Sequence, residues 1–199
     1  MYRPVLVTPP ASTPVTLAEA KVHCRANDHT DDDDTLRALI SAAVSYLDGW
    51  TGILGRCLVE QTWRQDFGCF FTRLPLPLFP VISITDVKYF DSAGAEQTID
   101  PAAYSLQVND LGAYVRFVDG FSAPALRSDE PAVGITYKAG YANSGEPATS
   151  TVPDAIKHAI LLLVSHWYQN RDAVVIGQQP TELPMAVSAL LAPYRRMKF

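Results

Sequence analysis

Apolar residues change their spacing twice along the chain, which separates helical ends from a β-rich middle. Thr16-Leu17-Ala18-Glu19 has capping-box spacing, so a helix of about three turns is predicted from there to Ala26. Leu36, Leu39, Ile40, Ala43, Leu47 and Trp50 then recur at three- and four-residue steps, with Arg37, Ser41, Ser45 and Asp48 between them. This predicts a helix over 34–50 with one apolar stripe. Asp31 to Asp34 precede it, where exposed amides and the positive end of the helix dipole favour negative charge. Gly49 and Gly52 mark its end.

From Arg56 onward the period becomes two. Cys57, Val59, Trp63 and Phe67 share one phase, and Glu60, Thr62, Arg64 and Asp66 the other, which predicts a half-buried strand. The prolines of Leu74-Pro75-Leu76-Pro77-Leu78-Phe79-Pro80 remove donors and fix φ. That segment is expected to be neither a helix nor a central strand, but an extended crossing that buries its leucines. Residues 81–90 are rich in β-branched and aromatic types, and their apolar phase slips between Ile84 and Val87, as a bulge would require. Asp91 to Gly94 is a turn signal with a return strand at 97–99. Further strands are predicted at 104–108, 113–118 and 133–138.

Residues 142–151 form a polar connector. Pro153 and Asp154 suit a first helical turn, and the helix is predicted to reach Arg171. Ile156, Ile160, Leu163 and Trp167 make one stripe, but 159–164 is apolar all round and has to be buried on several sides. Gly177 to Pro180 reads as a loop; Pro184 opens a last short helix carrying Val187, Leu190 and Leu191, which Pro193 ends. The expected architecture is α+β. A helical bundle is formed by the N- and C-terminal segments (1–55 and 142–199), with an inserted antiparallel β-sandwich or barrel-like domain at 56–141. The first ten residues are expected to run extended over a surface.

Composition narrows the function classes. The chain has 199 residues, 48% of them hydrophobic and 19% charged, enough to bury a core. A net charge of −5 argues against a dedicated nucleic-acid binder, which would show a basic face. Cys24, Cys57 and Cys69 are odd in number and form no CxxC pair, so they read as reduced structural thiols. The proline-rich opening lacks the apolar region of a signal peptide, and the 159–164 run is far shorter than the ~20 residues that span a bilayer. A cytoplasmic protein that does not enter the membrane is the expectation.

Chemistry-bearing motifs are sparse. The sequence holds no nucleophile elbow, phosphate-cradling glycine loop or HExxH pair. His158 and His166 share a helix face at a spacing too long for one metal ion. His23 and His29 lie near the aspartates, but the glycine and distal glutamate of a calcium loop are missing. Trp63, Trp167 and Tyr168 fall at periodic positions, which favours core packing over a stacking platform. No enzyme, metal or cofactor is expected. The basic, aromatic tail Tyr194-Arg195-Arg196-Met197-Lys198-Phe199 reads either as a solubilising end or as a docking peptide.

The order of several segments resembles the head–tail connector (adaptor) family of tailed phages, in its longer branch also found in gene transfer agents. The segments are 15–21, the Asp-rich opening of a helix ending Trp50-Thr51-Gly52, Gln61-Thr62-Trp63, and the Leu-Pro segment with Val81-Ile82-Ser83-Ile84. Residues 135–141, 152–160, 166–171, Leu183-Pro184 and 190–195 complete the set, which spans nearly the whole chain.

The resemblance implies a subunit of a dodecameric ring bound beneath the portal protein, extending the DNA channel and meeting the next neck or tail protein (stopper). Its location would be the particle neck after a cytoplasmic stage, with DNA passing through unread. It further implies portal binding by Tyr194, Arg195, Arg196, Met197, Lys198 and Phe199, and a subunit interface at Ile160, Leu161, Leu162, Val164, Trp167 and Tyr168. Two other readings are a different neck component, such as a stopper or tail terminator, and a β-sandwich module that binds a ligand such as a glycan.

Overall fold

The computed structural model describes residues 2–27, 29–144, 149–170 and 185–196. The architecture is α+β and separates into two compact units. One joins Met1–Ala11 to Val59–Ala142, and the other joins Ser12–Leu58 to Asn143–Phe199.

The first unit is built from antiparallel strands: β1 (Val5–Thr8), β2 (Gln61–Phe67), β3 (Arg73–Leu76), β4 (Val81–Phe90), β5 (Glu96–Thr98), β6 (Tyr104–Asn109), β7 (Gly112–Phe117) and β8 (Val133–Ala139). A five-stranded sheet has the order β1-β2-β8-β4-β5, and a three-stranded one the order β3-β7-β6. Both sheets are open among the described strands, so the expected barrel-like closure is absent.

β8 sits at the centre because its alternation is the cleanest. Val133, Ile135, Tyr137 and Ala139 are buried, and the residues between them are half-buried. Its ladder with β2 runs without a shift from Gln61 opposite Ala139 to Phe67 opposite Val133. Against β4 the register slips between Ile84 and Asp86, where the apolar phase of the sequence shifts. Phe70 meets Tyr89 of β4, Phe117 of β7 and Phe121 edge-on at 5.9, 5.4 and 5.6 Å, linking the two sheets through one aromatic cluster.

Two expectations for this unit change. The opening residues run extended and largely exposed, and they also pair: β1 joins β2, and Met1–Ala11 falls in the β unit rather than among the helices. The Leu-Pro segment does contribute a strand, but at a sheet edge. Pro75 lies opposite Tyr114, while Leu74, Leu76 and Leu78 are fully buried. A proline at an edge removes a donor that has no ladder partner, so the sheet tolerates it.

The second unit holds α1 (Leu17–Cys24), α2 (Asp33–Leu47), a two-strand hairpin of β9 (Asn143–Ser144) and β10 (Thr149–Ser150), α3 (Asp154–Gln169) and α4 (Met185–Leu191). The Thr16–Glu19 capping box forms as expected, with the Glu19 amide donating to the Thr16 hydroxyl at 3.2 Å and the Thr16 amide to Glu19 at 2.6 Å. α2 stops three residues short of the expected Trp50. Asp48 turns to extended backbone, its carboxylate accepts from the Leu58 amide at 2.6 Å, and Gly49 follows at φ 73°. α3 packs against α1, α2 and α4. The expected ends at Arg171, Gly177 to Pro180 and Pro184 lie outside the described residues.

Gly140 is the tightest point of the β unit. Its φ is +123°, and a Cβ there would lie 2.2 Å from the Val59 carbonyl oxygen. Gly140→Ala should therefore lower stability by about 2 kcal/mol or more, read as a shifted urea midpoint in a circular-dichroism titration.

Candidate functional site

The helical unit brings most of the sequence-selected residues together. Along α3, Ile156, Ala159, Ile160, Leu163 and Val164 are buried within the unit, whereas Leu161, Leu162, Trp167 and Tyr168 are only half-buried. Ile160 and Val164 are fully buried in the single chain. Leu161 instead lines a shallow, mostly apolar concavity of about 400 Å³ with Ala18, Glu19, Val22 and His23. Val22 remains 65% exposed there.

The acidic run at the start of α2 does more than face water. Asp32 stands at the N-cap without a side-chain cap bond. Asp33 instead takes the Lys21 ammonium of α1 at 2.6 Å, and Asp34 takes Arg37 at 2.7 Å. The Tyr168 hydroxyl of α3 donates to Asp32 at 2.5 Å, and His29 lies 3.6 Å from the same carboxylate. Sequence reasoning assigned Tyr168 to packing and missed this link, which joins residues 136 positions apart.

The tail also has partners in its own unit. Tyr194 closes a turn after α4, its ring lies under the Arg56 guanidinium at 5.8 Å, and the Arg196 amide donates to the Leu54 carbonyl at 3.1 Å. Arg195 points outward and is exposed. Met197, Lys198 and Phe199 lie outside the described residues.

Among the described residues, no group of three His, Cys, Asp or Glu side chains converges on a metal-sized site, and no helix is long and apolar enough to cross a membrane. Burial pushes the Cys24 thiol up, outweighing a bond to Ser165. Burial, and then the charge of His158, pushes His23 down. The His23 and His158 rings meet edge to face at 5.8 Å. In the β unit, a groove of about 340 Å³ on the polar face of the larger sheet holds Arg64, Asp66, Asp86, Lys88, Glu96 and Arg127. Cations and carboxylates pair off there, Arg64 with Asp66 at 2.9 Å and Lys88 with Glu96 at 2.7 Å. Trp63 is 8% exposed and donates to Gln61 at 3.1 Å, so it is core and not a stacking platform.

Comparison with known proteins covers the chain almost end to end. The model of the head completion protein family matches residues 15–197. The fold is similar to that of a chain in the neck of an empty gene transfer agent (GTA) particle computed with C6 symmetry. The identity is 22%, coverage 100% of this chain and 97% of that one, and the TM-score 0.75. A chain in the virion of a native GTA particle gives 22% identity, the same coverage and a TM-score of 0.73. A chain in the neck of a native GTA particle computed with C12 symmetry gives 19% identity, coverage of 98% and 97%, and a TM-score of 0.61. No curated protein matches.

Tyr168→Phe removes a bond to a partly buried carboxylate and should destabilise the helical unit by about 1–2 kcal/mol in chemical denaturation, with Asp32→Asn as the paired control. The His23 shift carries a pH signature. A histidine held below its ordinary pKa of 6.5 takes up its proton more readily when unfolded, so stability declines as pH falls through 6.5. Melting temperatures at pH 7.5 and 5.5 should therefore differ less in His23→Gln than in the parent.

Proposed function

We propose that this chain, which belongs to the head completion protein family, is a head–tail connector (adaptor) subunit. In this reading it forms a ring beneath the portal of a phage or phage-like particle and joins capsid to tail. The observation that carries it is the likeness, across the whole chain, to a protein of the GTA particle neck. It includes the β unit as well as the helices, so the reading does not rest on a shared fragment.

The surfaces fit a structural role rather than an enzymatic one. Half-buried Leu161 and Leu162, with exposed Val22, leave apolar area on the helical unit that a neighbouring subunit would cover. A net charge of −5 would let DNA pass through a channel without being gripped, since few cations are available to neutralise phosphates. Before assembly the subunit would reside in the cytoplasm.

An adaptor differs from a stopper in gripping the portal directly, and the tail is the proposed grip. Tyr194 and Arg196 also brace their own unit, so removing 194–199 tests binding and folding together. Arg195→Glu separates the two because Arg195 is exposed. It should leave the melting temperature unchanged and weaken capture by a portal protein by about tenfold or more in a pull-down. Full-strength capture by both the truncated chain and Arg195→Glu would exclude the tail, and no capture by the parent chain would move the protein to another neck position.

A further inference from the structure

The five-stranded sheet ends in two open edges that differ in chemistry. On β1, Val5, Leu6 and Val7 are 43%, 43% and 52% exposed, all four residues of the strand face out, and none is charged. An edge strand presents a row of unpaired N–H and C=O groups, which proteins usually disarm with a charge, a proline or a cover. Here Pro4 and Pro9-Pro10 stand at the ends and limit the template to four residues, and the register against β2 shifts between Leu6 and Thr8, so the regular part of the edge is short. The opposite edge, β5, is three residues long, one fewer than β1, and wholly exposed.

Direction and charge select which edges meet. From β1 to β5 the sheet reverses at β1-β2, β2-β8, β8-β4 and β4-β5, so β1 and β5 run the same way. Copies related by rotation in a ring keep that sense, and the β1 edge of one would meet the β5 edge of the next in parallel. Two β1 edges could meet only about a two-fold axis, in antiparallel. Arg3, just ahead of β1, is exposed and belongs to no ion pair among the described residues. β5 opens on Glu96, still half-exposed beside Lys88, and exposed Asp100 follows. Parallel alignment places Arg3, ahead of β1, at the end of β5 that opens on Glu96, with Asp100 at the far end.

We propose that β1 of one copy adds to β5 of the next, continuing the sheet from subunit to subunit and covering Val5 to Val7. This rests on the ring reading above. The test uses the full chain with Cys69→Ser, which removes the exposed native thiol. Leu6→Cys and Thr98→Cys are introduced singly and together, the chain is assembled with a portal protein, and a short bismaleimide is added. The double variant should give a ladder of covalent multimers and each single variant only monomer. Leu6→Lys, which places a charge on the edge, should abolish the ladder without altering the melting temperature. A covalent dimer from Leu6→Cys alone would reveal a two-fold contact and overturn the proposal. Imaged rings without a ladder would overturn it while leaving the ring intact. Absence of rings on the portal would remove the ring reading and this inference together.

Discussion

Ile156, Ala159, Ile160, Leu163 and Val164 occupy more of the circumference of α3 than one packed neighbour can hide, because a helix pair buries a stripe rather than a belt. The helical unit answers this by placing α1, α2 and α4 against the same helix. Each fully buried Ile or Leu is worth about 1.5–3 kcal/mol, so Ile156, Ile160 and Leu163 together exceed any polar contact in the unit. The partners follow from that demand. α1 and α4 are short, contribute few buried side chains of their own, and are helices in context because α3 gives them something to cover.

Polar links then set register where apolar packing is indifferent to it. Dispersion and burial tolerate small slides of one helix along another, whereas a carboxylate accepts only where a donor is placed. Asp33 meeting Lys21 fixes α2 against α1, and Asp32 meeting Tyr168 fixes α2 against the far end of α3. The β unit fixes register differently. Its ladders do so directly, and the pairs Lys88–Glu96 and Lys138–Glu60 lie on half-exposed faces, where solvent and salt leave such pairs little net energy. Losing Lys88 would therefore cost the β unit far less than losing Tyr137 or Ile135.

Periodicity made most of the elements readable, for a physical reason in each case. The stripe Leu36, Ile40, Ala43, Leu47 is buried as spaced, because a lone amphipathic helix has one way to face its core. The slip near Ile84 was legible because a bulge moves side chains across the sheet, and their types record it. What escaped was non-local. Val5-Leu6-Val7 is too short and too proline-flanked to declare itself a strand until β2 is beside it. The Asp run looked like a dipole effect because nothing in the sequence tells that Tyr168 will arrive 136 residues later. For the candidate surfaces, the composition of 159–164 announced several-sided burial but not which side stays open; the fold decides that Leu161 and Leu162 do.

The proposed structural role gains support from the direction in which burial moves the titrating groups. A nucleophilic thiol beside an imidazole works when the thiol is driven down and the imidazole up, so that an ion pair forms. His23 and Cys24 are neighbours on α1, and burial drives them the opposite way, toward neutral imidazole and neutral thiol. The charged groups that do shift elsewhere, Lys88 beside Glu96 and Asp91 under the amides of its own turn, are moved toward their charged forms, as braces are. Apolar area and open backbone remain available for contact on the described residues. Val22 and the β1 edge are among the apolar groups that a single copy leaves exposed, beside a half-buried Leu161, and covering such surface is what joining a multi-subunit assembly does.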